Sequence, residues 1–150
     1  MSQIKNTMEI KIEKSSQLPD ICYTLGMSQK NKFPEFRTTH LIFPNQTNHY
    51  GTLFGGVALE MMDTMAFIAA TRSFRRMFVT ASSDKIDFKA PVKVGQLAEL
   101  TGQVIKKGQA SCTVEVLLYS EDLLTGTRVL STRGLFVMVS IDKKQKPVKI

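Results

Sequence analysis

An aspartate lies in the middle of a largely apolar stretch of this 150-residue chain. The stretch runs from Val57 to Phe74, is rich in alanine and methionine, and has Asp63 near its centre. An acidic side chain among apolar residues requires a specific reason, and a carboxylate can act as a general base or as a nucleophile. Asp63 is therefore the first candidate for a catalytic residue. The alternative is a structural acid that caps a neighbouring element.

The segment before this stretch contains groups that suit the same chemistry. Asn48 lies in a loop with Gly51, and its amide is suited to orienting a water molecule or a carbonyl oxygen. Gly55 and Gly56 stand where the helix would begin, and the free N–H groups and dipole of a helix start can stabilise an oxyanion. Simpler interpretations remain, because asparagine favours turns and a glycine pair permits a tight turn into a helix.

The hydrophobic pattern predicts the elements that hold these residues. Val57–Phe74 is apolar on nearly all sides, which indicates a buried helix. Strands are expected at residues 36–43, 77–89, 97–105, 111–119 and 128–141, with a break in the second near residues 83–84. One strand, one long helix and a run of strands joined by short turns predict an α+β fold, with an antiparallel sheet wrapped around a long central helix.

The two ends of the chain differ from this central part. Residues 1–34 form an arm that we expect to be partly ordered: residues 8–13 alternate like a strand, and the remainder is irregular. Residues 35–142 form the single expected domain. Residues 143–150 are a basic C-terminal tail, which is either a site for phosphate groups or a solvated end.

Composition narrows the classes of protein and partner. No apolar run approaches the ~20 residues of a membrane span, and the N-terminus lacks the apolar core of a secretion signal. Cys22 and Cys112 stand far apart, without metal-ligand spacing. The net charge of +7 comes with no recognisable nucleic-acid-binding motif. We therefore expect a cytoplasmic protein with no metal, no nucleic acid partner and no membrane partner.

One ordered set of short motifs resembles a known family. The string N-x-x-G-x-x-F-G-G, followed by Met-Asp, is similar to the hotdog-fold acyl-CoA thioesterases, above all the bacterial YciA-type enzymes and the cytosolic acyl-CoA hydrolases. Its residues here are Asn48, Gly51, Phe54, Gly55, Gly56, Met62 and Asp63. Further similarities are Val79-Thr80, Asp87-Phe88 before Pro91, Val94-Gly95, and Lys107-Gly108 before Ser111. The resemblance spans about residues 37–141, and Gln109-Ala110 differs from the Arg-Ser usual in that family.

The resemblance implies hydrolysis of acyl-CoA to a free acid and coenzyme A, with no cofactor besides the CoA of the substrate. It implies that Asp63 is the catalytic carboxylate and Asn48 its partner. The expected substrate contacts are Phe88, Lys89, Pro91, Lys107, Gly108 and Ser111. It further implies dimers whose two sheets join edge to edge, and trimers of such dimers.

Helix spacing independently favours a site made by two chains. Gly56 and Asp63 are seven residues apart, which puts them on nearly one helix face but ~10.5 Å apart along the axis. A base and an oxyanion site must meet within ~3 Å of one carbonyl carbon, so two antiparallel helices would each supply one part. The spacing does not choose between water activation and an anhydride intermediate. The alternative functions are an acyl-CoA-binding regulatory module without catalysis, and a dehydratase, which would need a histidine on the helix.

Overall fold

The structure is a computed structural model that describes residues 33–150. The elements are β1 (Glu35–Leu41), a 3-10 turn (Pro44–Gln46), α1 (Gly55–Phe74), β2 (Met77–Phe88), β3 (Leu97–Lys107), β4 (Ser111–Glu121) and β5 (Arg128–Ile141). The expected strand at residues 8–13, and the arm of residues 1–34 up to residue 32, lie outside the described residues. The α+β fold predicted from the sequence is confirmed, with α1 beginning two residues earlier than expected.

The five strands form one antiparallel sheet in the order β1-β3-β4-β5-β2. Although β2 directly follows α1, it pairs with β5, so β1 and β2 are the two edges of the sheet. The expected irregularity of β2 is present: its register with β5 shifts between Thr80 and Ser82 and between Asp84 and Asp87. Phe78 is the only buried residue of β2.

The core lies between α1 and the inner face of the sheet. On β4, Cys112, Val114, Val116 and Leu118 are buried, as their alternation predicted. On α1 the buried residues are Ala58, Met62, Met65, Ala66, Ala69 and Ala70. A Cβ atom on Gly102 of β3 would lie 3.0 Å from Met65 Cγ, so glycine at this position lets the helix lie close to the sheet.

The expectation of a buried helix is met on only one side of α1 within a single chain. Glu60, Thr64 and Phe67 are exposed, and Phe67 retains 46% of its accessible surface. One sheet covers one face of a helix, and the apolar residues on the other face remain open. Among residues 33–150 no helix is long and apolar enough to span a membrane.

Candidate active site

Asp63 lies on the side of α1 that faces β2. It is half-buried, and its Oδ1 accepts a hydrogen bond of 2.6 Å from Thr80 Oγ1. Short O–H···O bonds of this kind are typical of a charged acceptor. Within residues 33–150 no donor bonds Oδ2. The carboxylate is thus oriented through one oxygen, while the other is available to a water molecule or a substrate.

Thr80 is a functional candidate that the sequence does not reveal. The Val79-Thr80 pair is similar to the family, but no local pattern indicates that its hydroxyl reaches a residue 17 positions earlier. The bond joins the central helix to an edge strand. It therefore depends on the tertiary packing of α1 against β2.

The loop before α1 fixes the orientation of the Asn48 amide. Asn48 Oδ1 accepts hydrogen bonds from Tyr50 N at 3.0 Å, from Thr52 N at 3.2 Å and from Thr52 Oγ1 at 3.1 Å. Three donors around one atom identify it as the amide oxygen. Nδ2 has no acceptor among the described residues. Asn48 is therefore a turn residue, and the same turn leaves its N–H₂ group free to donate.

The first turn of α1 is open to an anionic ligand. Phe54 precedes the helix without a side-chain cap, and the first turn contains no acidic residue. The first helical bond runs from Ala58 N to Phe54 O, so the N–H groups of Gly55, Gly56 and Val57 point beyond the helix start. Gly55 and Gly56 are exposed, and a Cβ on Gly56 would meet no atom within 4 Å.

A cavity of about 290 Å³ lies beside this helix start. Its lining includes Phe88, Lys89 and Pro91, three of the residues expected to bind substrate, together with Thr52, which bonds Asn48. The Phe88 ring lies 3.5 Å from the position of a Gly55 Cβ, which connects the cavity to the helix start. Asn48, the glycine pair and these three residues therefore form one group, which we call the helix-start group.

The other expected residues lie at the opposite end of the sheet. Lys107, Gly108 and Ser111 surround the β3–β4 turn, where a smaller cavity of about 120 Å³ is lined by Gly108 and Ser111. Ser111 is level with Val139 of β5, whereas Phe88 is level with Thr132. Seven residues of extended strand separate these two levels, or ~24 Å.

Asp63 lies near the end of the sheet that carries the β3–β4 turn. Its partner Thr80 is level with Met138 of β5, one residue from the level of Ser111. We call Asp63, Thr80, Lys107, Gly108 and Ser111 the carboxylate group. One chain therefore holds the expected site residues as two separate groups, and does not bring them together.

The thiol of Cys112 does not add a nucleophile to this region. Burial raises the pKa of Cys112 to about 11, so the side chain stays protonated at neutral pH. Among residues 33–150 no cluster of histidine, cysteine or acidic residues has the arrangement of a metal site.

The fold defines the class of this protein. A long helix packed on a five-stranded antiparallel sheet is the hotdog arrangement. Residues 50–127 match the family model of the thioesterase superfamily. The chain belongs to the thioesterase superfamily.

Relatives of known sequence and structure agree with this family. An uncharacterized acyl-CoA thioester hydrolase of Bacillus subtilis is 38% identical over 112 residues, which cover 75% of this chain and 65% of the relative. The matched region thus spans less than two thirds of the relative's length. A crystal structure of a hexameric acyl-CoA thioesterase superposes with a TM-score of 0.75 and 40% identity, covering 77% of this chain and 74% of the other.

An acyl-CoA hydrolase of Staphylococcus aureus, whose structure contains butyryl coenzyme A and coenzyme A, has 30% identity and a TM-score of 0.73, covering 77% of this chain and 70% of the other. Three further structures of this hydrolase each carry one alanine substitution, at an asparagine, an aspartate or a threonine. The aspartate follows the asparagine by 15 residues, and the threonine follows the aspartate by 17. Asn48, Asp63 and Thr80 stand at the same intervals in this chain.

Proposed function

We propose that this protein hydrolyses the thioester of acyl-CoA to a free acid and coenzyme A. The observation that carries the proposal is the hydrogen bond between Asp63 and Thr80 on the open side of α1. It leaves one carboxylate oxygen unbonded among the described residues, as a base or nucleophile requires. The same asparagine, aspartate and threonine intervals in the Staphylococcus aureus acyl-CoA hydrolase support this assignment.

Asp63 is the residue that begins the reaction. As a general base, its carboxylate takes a proton from water while the water oxygen attacks the thioester carbon, after which the C–S bond breaks and the thiolate of CoA takes up a proton. As a nucleophile, it attacks the same carbon directly, CoA leaves, and water hydrolyses the resulting anhydride. In both routes Thr80 holds the carboxylate in one orientation.

The carbonyl oxygen of the thioester gains negative charge as the carbon is attacked. The N–H groups of Gly55 and Gly56 and the positive end of the α1 dipole are suited to stabilise that charge. The Nδ2 group of Asn48 adds a donor from the neighbouring loop, where its oxygen is already held by Tyr50 and Thr52.

A symmetric dimer would unite the two residue groups. β2 is a twelve-residue edge strand whose side chains are almost all exposed, and long uncovered edges invite pairing with another chain. If two β2 strands pair in antiparallel orientation across a two-fold axis near their middle, the Phe88 end of one protomer meets the Met77 end of its partner. Each site would then combine the helix-start group of one protomer with the carboxylate group of the other.

The same pairing accounts for the exposed side of α1. The partner helix would lie beside the face that carries Asp63 and Phe67, so that both would be covered by a second copy of the chain. The hexamer of the related acyl-CoA thioesterase favours a further assembly of three such dimers. Native mass spectrometry of the purified protein measures both levels of association.

The proposal is tested by following the release of free thiol from short- and long-chain acyl-CoAs. We expect turnover by the wild-type protein and a loss of ~10²–10⁴ in kcat for Asp63→Asn, which keeps the size of the side chain and removes its basicity. Glu60→Gln is the matched control, because Glu60 is an exposed acid one turn earlier on the same helix and Thr80 bonds Asp63 instead of it. Wild-type turnover by Asp63→Asn would contradict the assignment. Tight binding of acyl-CoA without turnover by any form would instead identify a regulatory module.

A further inference from the structure

The last residues of the described chain form a folded element. After β5 the chain turns around Asp142, whose Oδ1 accepts hydrogen bonds from Lys144 N at 2.8 Å and Lys146 N at 2.9 Å. It then runs back along β5, with Val148 N donating to Ser140 O at 2.9 Å. Ile150 N donates to Gln109 O at 2.9 Å, and its side chain packs against the core. We call residues 142–150 the C-terminal return.

The C-terminal return gathers positive charge around the β3–β4 turn. Lysines from both segments are exposed and together form a surface that we call the basic corner: Lys106, Lys107, Lys143, Lys144, Lys146 and Lys149. Among residues 33–150 none of these lysines forms an ion pair. Asp142 is the only acid of the return, and its Oδ1 is bonded to backbone N–H groups.

The basic corner adjoins the carboxylate group, because Lys107 belongs to both. Lys107 Nζ lies 5.5 Å from the centre of the Phe74 ring at the end of α1. The return is bonded to Gln109 in the turn between Gly108 and Ser111. Lysine side chains are strongly hydrated point charges that bind phosphate groups, and like charges held together without acids favour an anion with several negative charges.

In the symmetric dimer proposed above, the basic corner of one protomer would lie near the helix-start group of the other. The return follows Ile141, which pairs with Met77 at the end of β2. The partner's Phe88 end would lie two strand spacings away, or ~10 Å. If the thioester lies at that helix start, the phosphates at the nucleotide end of the substrate are the groups that such a basic surface would attract.

We propose that the C-terminal return is a phosphate-binding element, and that Lys144 and Lys146 bind the phosphates of the adenosine 3′,5′-bisphosphate portion of CoA in the site shared with the partner protomer. The inference rests on the proposed function for its substrate, but not for its measurement, because phosphate binding is detectable without turnover. Lys144 and Lys146 would raise the affinity and specificity for the CoA part of the substrate, and Asp63 would carry out the chemical step.

The test compares a charge-removing pair of substitutions with a charge-keeping pair. Lys144→Gln/Lys146→Gln removes two cations, and Lys144→Arg/Lys146→Arg keeps them; both leave the backbone bonds to Asp142 in place. We expect the dissociation constant for adenosine 3′,5′-bisphosphate, measured by calorimetry, to rise about fivefold in the glutamine variant and to stay within twofold in the arginine variant.

Kinetics separate this role from a structural one. For the glutamine variant we expect KM for acyl-CoA to rise about fivefold with kcat unchanged, and no change with the same acyl group on pantetheine, which lacks the nucleotide. Unchanged bisphosphate binding by the glutamine variant overturns the inference, whether or not the protein hydrolyses acyl-CoA. An equal loss with the pantetheine thioester overturns it too, because the return would then act only on the fold. Binding of bisphosphate without hydrolysis of either thioester by the wild type would contradict the proposed function alone.

Discussion

Pairs of inactive subunits should restore activity to one another if each site is made by two protomers. Asp63→Asn removes the base, and Asn48→Asp keeps the oxygen that holds the loop while replacing the free N–H₂ group; alanine at Asn48 would instead break three loop hydrogen bonds. In a dimer of one subunit of each kind, one site contains both substitutions and the other contains neither. We therefore expect half of the wild-type activity from isolated mixed dimers.

The magnitude follows from the geometry of the helix and the sheet. Gly56 and Asp63 of one chain are ~10.5 Å apart along α1, and the levels of Phe88 and Ser111 differ by ~24 Å. These separations leave no complete site within one chain. Random assembly of equal amounts makes about half of the dimers mixed, so an unfractionated mixture should regain about a quarter of wild-type activity.

The assay uses two subunits with different tags, co-expressed and purified through both, with thiol release measured on the isolated mixed dimer. A crossed control pairs the wild-type subunit with a subunit carrying both substitutions. A two-chain site makes this control inactive, since each site then lacks one residue. The reverse result, an inactive first pair and a half-active control, would show that Asn48 and Asp63 act within one chain.

Three further predictions concern single positions. Thr80→Val should lower kcat about tenfold with little change in KM, because the Asp63 carboxylate loses the hydroxyl that orients it, whereas Thr80→Ser should keep most of the activity; equal rates for the valine and serine variants would contradict this role. Gly102→Ala should destabilise the fold by about 1–3 kcal/mol in denaturant unfolding, because the added Cβ would lie 3.0 Å from Met65 Cγ; a change within 0.5 kcal/mol would show that the helix yields easily. Asp122→Asn should destabilise the protein at neutral pH but not in acid. Hydrogen bonds from Thr125 and then Leu124 lower the pKa of the Asp122 carboxyl below its usual 3.8. The contribution of Asp122 to the free energy of unfolding is therefore present above that pH and is lost as pH falls through the folded-state pKa. A stability difference between wild type and Asp122→Asn that persisted at pH 2 would contradict that explanation.

The sequence was most informative where buried and exposed positions alternate regularly along an element. The alternation of β4 predicted four of its five buried residues, and the apolar run predicted β5 with both of its ends, Arg128 and Ile141. The helix was predicted to within two residues at its start and at its observed end, Phe74. The spacing of apolar residues, with period 2 in strands and period 3.6 in helices, indicates which side of an element faces the core. It can therefore be recognised without knowing which other elements form the core.

The candidate site was only partly accessible from the sequence. Asp63 stood out because it interrupts an apolar run, and the asparagine and glycine positions followed from a motif. The bond from Thr80 had no local signal, because it links residues 17 positions apart through the packing of α1 on β2. The C-terminal return was likewise hidden: a lysine-rich segment resembles a solvated end until Asp142 closes its turn and Ile150 reaches the core.

The sequence by itself determined the elements, the fold class and the residues able to do chemistry, since each depends on residue types and on periodicity within short segments. Only the tertiary structure decided that β2 passes over to pair with β5, which leaves it as a free edge. That choice depends on which strands can bury apolar faces against the same helix, an interaction between distant segments that no local pattern records. The same arrangement puts Phe88 and Ser111 at levels of the sheet ~24 Å apart, a separation that the helix spacing in the sequence did not reveal.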